Sequence, residues 1–264
     1  MNARLLRPVA ACLALAAVSG AMCGCGIASP SISSRSASAR TPITKAEATA
    51  FARAVNLRAG DIPLGSVFSA ERERTEPDPT RSQETCFGSG GNWRRLNRHI
   101  INRESATLGW NIPGEFQRIY SAVEVLPSVA LTVRHNAVIR SRRFLTCSSR
   151  FLHSEVDEMQ AGRAEYASRK MFRLPDPLPG IEGGYEYRIA ATIIAGRAAP
   201  VELAAYVPQQ VKQVRLFMDL FGFISGPTEI NLAALGGPRP VSKKLEERLL
   251  VLLYSRAEAH KHTL

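Results

Sequence analysis

The sequence predicts an α+β domain in which helices cover an antiparallel sheet. Three observations carry this. A capped amphipathic helix opens the folded part. A helix with leucines at helical spacing closes it. Between them, residues 185–235 hold a succession of short apolar runs whose connections are too brief for parallel crossovers.

The opening helix is read from Thr44-Lys45-Ala46-Glu47, a capping box in which Glu47 reaches back to Thr44. Ala48, Phe51, Ala52 and Val55 follow at helical spacing, which predicts a helix over 45–55. The segment 56–63 (NLRAGDIP) ends it. Residues 69–84, polar with two prolines, predict an exposed loop, and 86–92 (CFGSGGN) a Gly-rich turn. Alternation over 117–126 predicts a strand that Pro127 stops. Ser128 then caps a helix over 129–140, with Val129, Ala130, Val133, Ala137 and Val138 expected on its inner face. A short helix carrying Cys147, Phe151 and Leu152 is expected next.

Tyr185, Tyr187, Ile189, Ala191 and Ile193 alternate with Glu186, Arg188 and Thr192, a strand pattern. Gly196-Arg197 turns the chain into expected strands over 201–207 and 211–224. Ser225-Gly226-Pro227 turns it again into a weaker strand over 229–235. Ser242 caps the closing helix over 243–258, where Leu245, Leu249, Leu252 and Leu253 share a face, and the last residues are expected to fray.

The N-terminus has the parts of an export signal. Arg4 and Arg7 make a positive start, Pro8 to Val18 an apolar core, and small residues lead to cysteines. The core falls short of the ~20 residues that span a bilayer. Met22-Cys23-Gly24-Cys25 has the pattern of a lipobox, which makes Cys25 the lipidation site; a plain secretory signal cleaved near Ala21 or Gly24 is the alternative. Residues 1–24 are thus expected to be a signal and 25–42, rich in Ser, Ala and Arg, a flexible tether. One domain follows over 43–258, with a tail over 259–264. The expected place is the extracytoplasmic face of the cell membrane.

Of five cysteines, Cys12 leaves with the signal and Cys25 takes lipid. Cys86 and Cys147 remain and are expected to pair, as thiols in exported chains do. A loop of about 60 residues would be closed, giving roughly 4 kcal/mol in the chain-entropy description.

The formal net charge is +11, mostly from Arg. In an exported protein this suits anionic lipid head groups or wall polymers rather than nucleic acid. The densest basic cluster, Arg134, Arg140, Arg142 and Arg143, is a candidate anion-binding site. A cation-rich helix end complementing the helix dipole is the competing reading.

No catalytic pattern emerges. The sequence has no HExxH, no Ser-x-x-Lys, and a Gly-rich stretch at 87–91 without the Lys-Ser/Thr of a phosphate loop. His260 and His262 lie two apart in the tail, and His135 on a helix reads as structural or solvent-facing. Asp157-Glu158 and Glu246-Glu247 read as solvated faces. Tyr185, Tyr187, Phe217, Phe221 and Phe223 read as core. No metal site, cofactor or catalytic residue is assigned.

Cys25, the pair Cys86 and Cys147, the segment 57–63 (LRAGDIP), and the strand Leu216–Ile224 followed by Gly226 together give the chain a family likeness. Over roughly residues 43–258 it resembles the extracellular sensor domain of mycobacterial receptor kinases and related actinobacterial envelope lipoproteins. It departs from them in lacking a kinase domain and in having one expected disulfide where the receptor-kinase sensors have two. The resemblance implies a central cleft for an envelope ligand and carries over no catalytic residue. The expected function is therefore a lipid-anchored protein with a non-catalytic ligand-binding or sensor-like domain. Its partners would be the membrane, through the lipid, and an anionic envelope ligand or a membrane protein. An exported hydrolase, or an interaction module for a membrane partner, is the alternative.

Overall fold

Thr44 starts the fold as its sequence predicts. Its hydroxyl accepts from the Glu47 backbone N–H at 3.2 Å, and its own N–H donates to Glu47 Oε2 at 2.8 Å. The helix so capped, α1 (Lys45–Val55), buries Ala48, Phe51, Ala52 and Val55. The computed structural model describes residues 42–62, 66–74, 100–112, 115–147, 165–175, 178, 180–194 and 213–264. The signal, the tether, Cys86 and the Gly-rich turn, Phe151, Leu152, Asp157-Glu158, the Gly196-Arg197 turn and the strand expected at 201–207 lie outside them.

Among the described residues nine strands form one sheet: β1 (Ser66–Ser69), β2 (Arg72–Arg74), β3 (Ile101–Glu104), β4 (Thr107–Ile112), β5 (Glu115–Val125), β6 (Glu165–Leu174), β7 (Tyr185–Ile194), β8 (Gln213–Ser225) and β9 (Thr228–Gly237). The main order is β1-β4-β5-β9-β8-β7-β6, and every pairing is antiparallel. β3 and β4 share one edge of β5: β3 pairs with its C-terminal end and β4 with its N-terminal end. The fold class is α+β, an antiparallel sheet covered by helices.

The turn at Gly226-Pro227 makes β8 and β9 a tight hairpin, with Ser225 paired to Thr228 and Gly226 at φ 57°. That positive φ suits a residue without Cβ. β9, weak by composition, is the best covered strand, enclosed by β5 and β8.

Strand alternation sends side chains to two different layers. On one face, Ile119, Val123, Val125, Phe221, Phe223, Ile230, Leu232 and Ala234 pack against α1 and the last long helix, α3 (Lys243–His260). On the other, Tyr185, Tyr187, Met218, Leu220 and Ala233 pack against Ile139, Phe144 and Cys147, at and beyond the end of α2 (Val129–Ile139). Each large side chain fully buried in either layer contributes about 1.5–3 kcal/mol. Of the aromatic set read from the sequence, Tyr185, Tyr187, Phe221 and Phe223 are core, divided between the layers, while Phe217 is half-buried beside Arg188 and Arg215.

The segment after α1 joins the first helix to the last. Asp61 receives both terminal nitrogens of Arg256 at 2.7 Å, and Arg256 also donates to the Asn56 carbonyl at 3.0 Å. Burial pushes the Asp61 carboxyl up, but the hydrogen bonds from Arg256 and the Arg58 backbone outweigh it and hold the group below its ordinary value. Asn56 and Ser121 complete the seam: Ser121 Oγ donates to Asn56 Oδ1 at 2.8 Å, and Asn56 Nδ2 to the Arg103 carbonyl at 3.0 Å.

Several elements differ from expectation. Residues 69–84 are not all loop, because Arg72–Arg74 pairs with Asn102–Glu104. β3 and β6 have no clear apolar alternation, whereas β4 alternates through Leu108, Trp110 and Ile112. Three of the four residues of β3 are polar, yet Asn102, Arg103 and Glu104 are buried. α3 runs to His260, and a 3-10 turn at Lys261–Thr263 continues it. Ser242 is its N-cap by position, without a side-chain capping bond. Among the described residues no helix is long and apolar enough to cross a membrane.

Gly222 shows how tightly the second layer is packed. It faces Tyr185 across β7 and β8, and a Cβ there would overlap the phenol ring. Gly222→Ala is expected to lower stability by about 1–3 kcal/mol, measured as a lower urea midpoint at unchanged slope. An unchanged midpoint would mean that the ring moves aside at no cost.

Candidate functional site

α2 does not present the face its apolar residues suggest. Thr132, His135, Asn136 and Ile139 point inward, while Val129 and Val133 stay 45% and 42% exposed. The expectation of an inner face built on Val129, Ala130, Val133, Ala137 and Val138 is therefore corrected for all but Val138, which packs partly buried against the second layer. The physical reason lies in the sheet below. Glu124 on β5 and Glu229 on β9 are directly opposite one another and on the same face. Like charges so placed repel, and a buried carboxylate needs a partner. A helix covering them has to offer polar groups.

His135 does so. Its Nδ1–H donates to Glu229 Oε2 at 2.6 Å, with the imidazole 3% exposed and the carboxylate fully buried. Glu124, His135 and Glu229 each bring one ligand-type atom into a group within 4.8 Å. The outer oxygens are also held. Asn102 Nδ2 donates to Glu124 Oε1 at 3.0 Å, and the Tyr185 hydroxyl lies 3.1 Å from Glu229 Oε1 and 2.6 Å from the Asn231 amide. One phenol proton cannot serve two acceptors. Donation to Glu229 is consistent with both contacts when the Asn231 amide turns its NH2 toward the phenol oxygen. Burial, then the Glu229 charge, pushes the Tyr185 hydroxyl well above its ordinary value, so it remains a neutral donor.

The helix is capped at its start and tied over this cluster at its far end. Ser128 Oγ accepts from the Leu131 N–H at 3.3 Å. Further along, Asn136 Nδ2 donates to the Gly183 carbonyl at 2.9 Å, and Tyr187 donates to the Ile139 carbonyl at 2.6 Å. The arrangement can hold a proton between imidazole and carboxylate, or a cation among one nitrogen and two carboxylates.

A second buried polar cluster lies on the other face, under α3. Arg188 forms a two-pronged pair with Asp219 at 2.5 and 2.6 Å, and Lys243 pairs with Glu186. Glu246 is fully buried beside them, and neither of its oxygens has a hydrogen-bond partner if it is taken as an anion. The expectation that Glu246-Glu247 is a solvated face is corrected for Glu246; Glu247 is exposed. Burial, with the Asp219 charge next to it, pushes the Glu246 carboxyl up to about 9. Held neutral, it donates its proton toward Asp219, and the two remaining carboxylates match Arg188 and Lys243 in charge.

The other predicted site residues are separate from both clusters. Arg134, Arg140, Arg142 and Arg143 are exposed around the end of α2, where Arg140 is the C-cap residue. Cys147 is buried at the end of the helical stretch 142–147 and is disulfide-bonded. Its expected partner Cys86 lies outside the described residues, as does Cys25. Sequence reasoning missed Glu124, Glu229, Glu186 and Asp219, which no motif spacing connects. Their signal was a charged residue at a strand position whose two faces are both covered.

No known protein-family profile matches the chain, and no curated protein matches it. Among solved structures it is similar to the extracellular domain of PknH from Mycobacterium tuberculosis. That likeness has 9% identity over 83% of this chain and 98% of the other, with a TM-score of 0.35. Agreement that slight carries no argument about fold or function, and none is drawn from it.

Glu246 makes stability depend on pH. Its folded value is raised from 4.5 to about 9, so its contribution is fully present below about 4.5 and is lost as pH climbs toward 9. Glu246→Gln, which keeps the shape without the ionisation, is expected to raise stability at pH 7 by about 1–3 kcal/mol. It should also flatten the decline between pH 5 and 9, followed by urea melts across that range. A variant less stable than the parent at every pH would sink this account.

Proposed function

We propose that the chain is a lipid-anchored cell-envelope protein whose folded part is a non-catalytic ligand-binding or sensor-like domain. In this reading residues 1–24 are the signal, Cys25 carries the lipid, 25–42 form the tether and 43–258 the domain. What supports it is the export-signal pattern of residues 1–24, together with the placing of Cys147 in a disulfide. Disulfides belong to oxidising compartments, and the N-terminal segment supplies the means of reaching one.

The chemistry of the domain supports the non-catalytic part. Arg188 is paired to Asp219, Lys243 to Glu186, His135 to Glu229 and Arg256 to Asp61. These groups serve one another: the Lys243 and His135 pairs join helices to the sheet, Arg188 and Asp219 link neighbouring strands, and Arg256 ties the last helix to the segment after the first. The exposed arginines near the end of α2 (Arg134, Arg140, Arg142 and Arg143) suit an anionic envelope ligand. They carry charge at the surface, where a head group or polymer can reach them.

The intact mass of the protein from a lipoprotein-processing host tests the reading. The expected result is a diacylglyceryl mass on a chain beginning at Cys25, with Cys86 and Cys147 alkylated only after reduction. Cys25→Ala is expected to move the protein from the membrane to the soluble fraction. An unlipidated chain, or Cys86 alkylated without reductant, would overturn the reading and favour a secreted enzyme.

A further inference from the structure

We propose that Glu124, His135 and Glu229 form a binding site for one divalent transition cation of the zinc or manganese kind. The inference deepens the ligand-binding reading by naming a ligand class, and it rests on that reading only in treating the domain as a binder.

The donor set comes first. One imidazole nitrogen and two carboxylate oxygens, all three residues buried, lie within 4.8 Å of one another. That chemistry suits zinc, and also manganese, which accepts more oxygen. Tetrahedral zinc bonds of ~2.0–2.1 Å separate ligand atoms by roughly 3.3 Å. The 2.6 Å contact between His135 Nδ1 and Glu229 Oε2 therefore has to open by less than 1 Å.

Two independent features point the same way. The outer oxygens Glu124 Oε1 and Glu229 Oε1 are fixed by Asn102 and Tyr185, the outer-shell support that orients metal ligands. And α2 turns His135 inward while leaving Val129 and Val133 in solvent. A helix that served only as an apolar cover would be rotated the other way. The two carboxyl groups, opposed across β5 and β9, bring oxygen ligands to the same side of the sheet. On binding, Nδ1 becomes the ligand and its proton leaves to solvent, so affinity should fall as pH is lowered.

The test uses the full chain, stripped with chelator and titrated separately with zinc and manganese chloride. One equivalent is expected, with proton release seen as a buffer-dependent binding enthalpy. Zinc-edge X-ray absorption should show one imidazole and carboxylate oxygens. His135→Gln, checked for folding by circular dichroism, should weaken binding at least about tenfold. A His260→Ala/His262→Ala variant should bind as the parent does. Failure to bind either ion would overturn the proposal. So would binding that survives His135→Gln and vanishes with the tail histidines. If His135→Gln does not fold, the parent's absorption spectrum and the tail variant decide: absence of an imidazole ligand, or loss of it with the tail, defeats the site. Metal content and lipid mass are separate readouts, so either reading can fail while the other stands.

Discussion

Glu124 and Glu229 face each other across the middle of the sheet, buried on the same side. Much of the second layer answers that one repulsion. It explains why α2 is turned polar side down, why its interior residues are Thr132, His135 and Asn136, and why Tyr185 and Asn102 direct polar groups at carboxylate oxygens. The cluster also fixes position. Asn136 reaches the Gly183 carbonyl and Tyr187 the carbonyl of Ile139, so the helix has few alternative placements. Buried polar networks of this kind specify an arrangement more than they stabilise it.

The opposite layer is organised differently. Its core under α1 and α3 is apolar over β5 and β9, and becomes ionic toward β7, where Glu186, Arg188 and Asp219 meet Lys243 and Glu246. A neutral Glu246 balances the charges there. Lys243 is near the Phe221 ring as well, its Nζ 5.2 Å from the centroid, so one side chain spans the boundary between the ionic and apolar parts. The sheet is therefore clamped by a hydrogen-bonded cluster on one face and an ion-paired one on the other, a few strands apart.

Much of the fold was legible in the sequence where pattern and burial agree. The Thr44 capping box, the alternation from Tyr185 and the Gly226 turn each describe local chemistry, and the observed elements follow them. Legibility failed where an element has two covered faces. Ile101–Glu104 has three polar residues of four, and only its neighbours make it a strand. α2 was located correctly and faced wrongly, since its orientation depends on carboxylates at residues 124 and 229. Glu246 resembled a surface residue because its neighbour Glu247 is one, and a single residue of helical rotation separates burial from solvent. Both polar clusters draw on residues tens of positions apart, so no spacing in the chain announces them.

The pair between Asp61 and Arg256 joins residues 195 positions apart. The first helix of the domain thus finds its principal helical neighbour only in the last. Contacts so distant in sequence are slow to form, because the chain between them must first be ordered. Until α3 has been synthesised, Phe51 and Val55 have an incomplete cover. A nascent or truncated chain ending before Lys243 leaves α1 covered by the sheet but without its helical neighbour. The arrival of α3, rather than assembly of any earlier portion, completes the cover over α1.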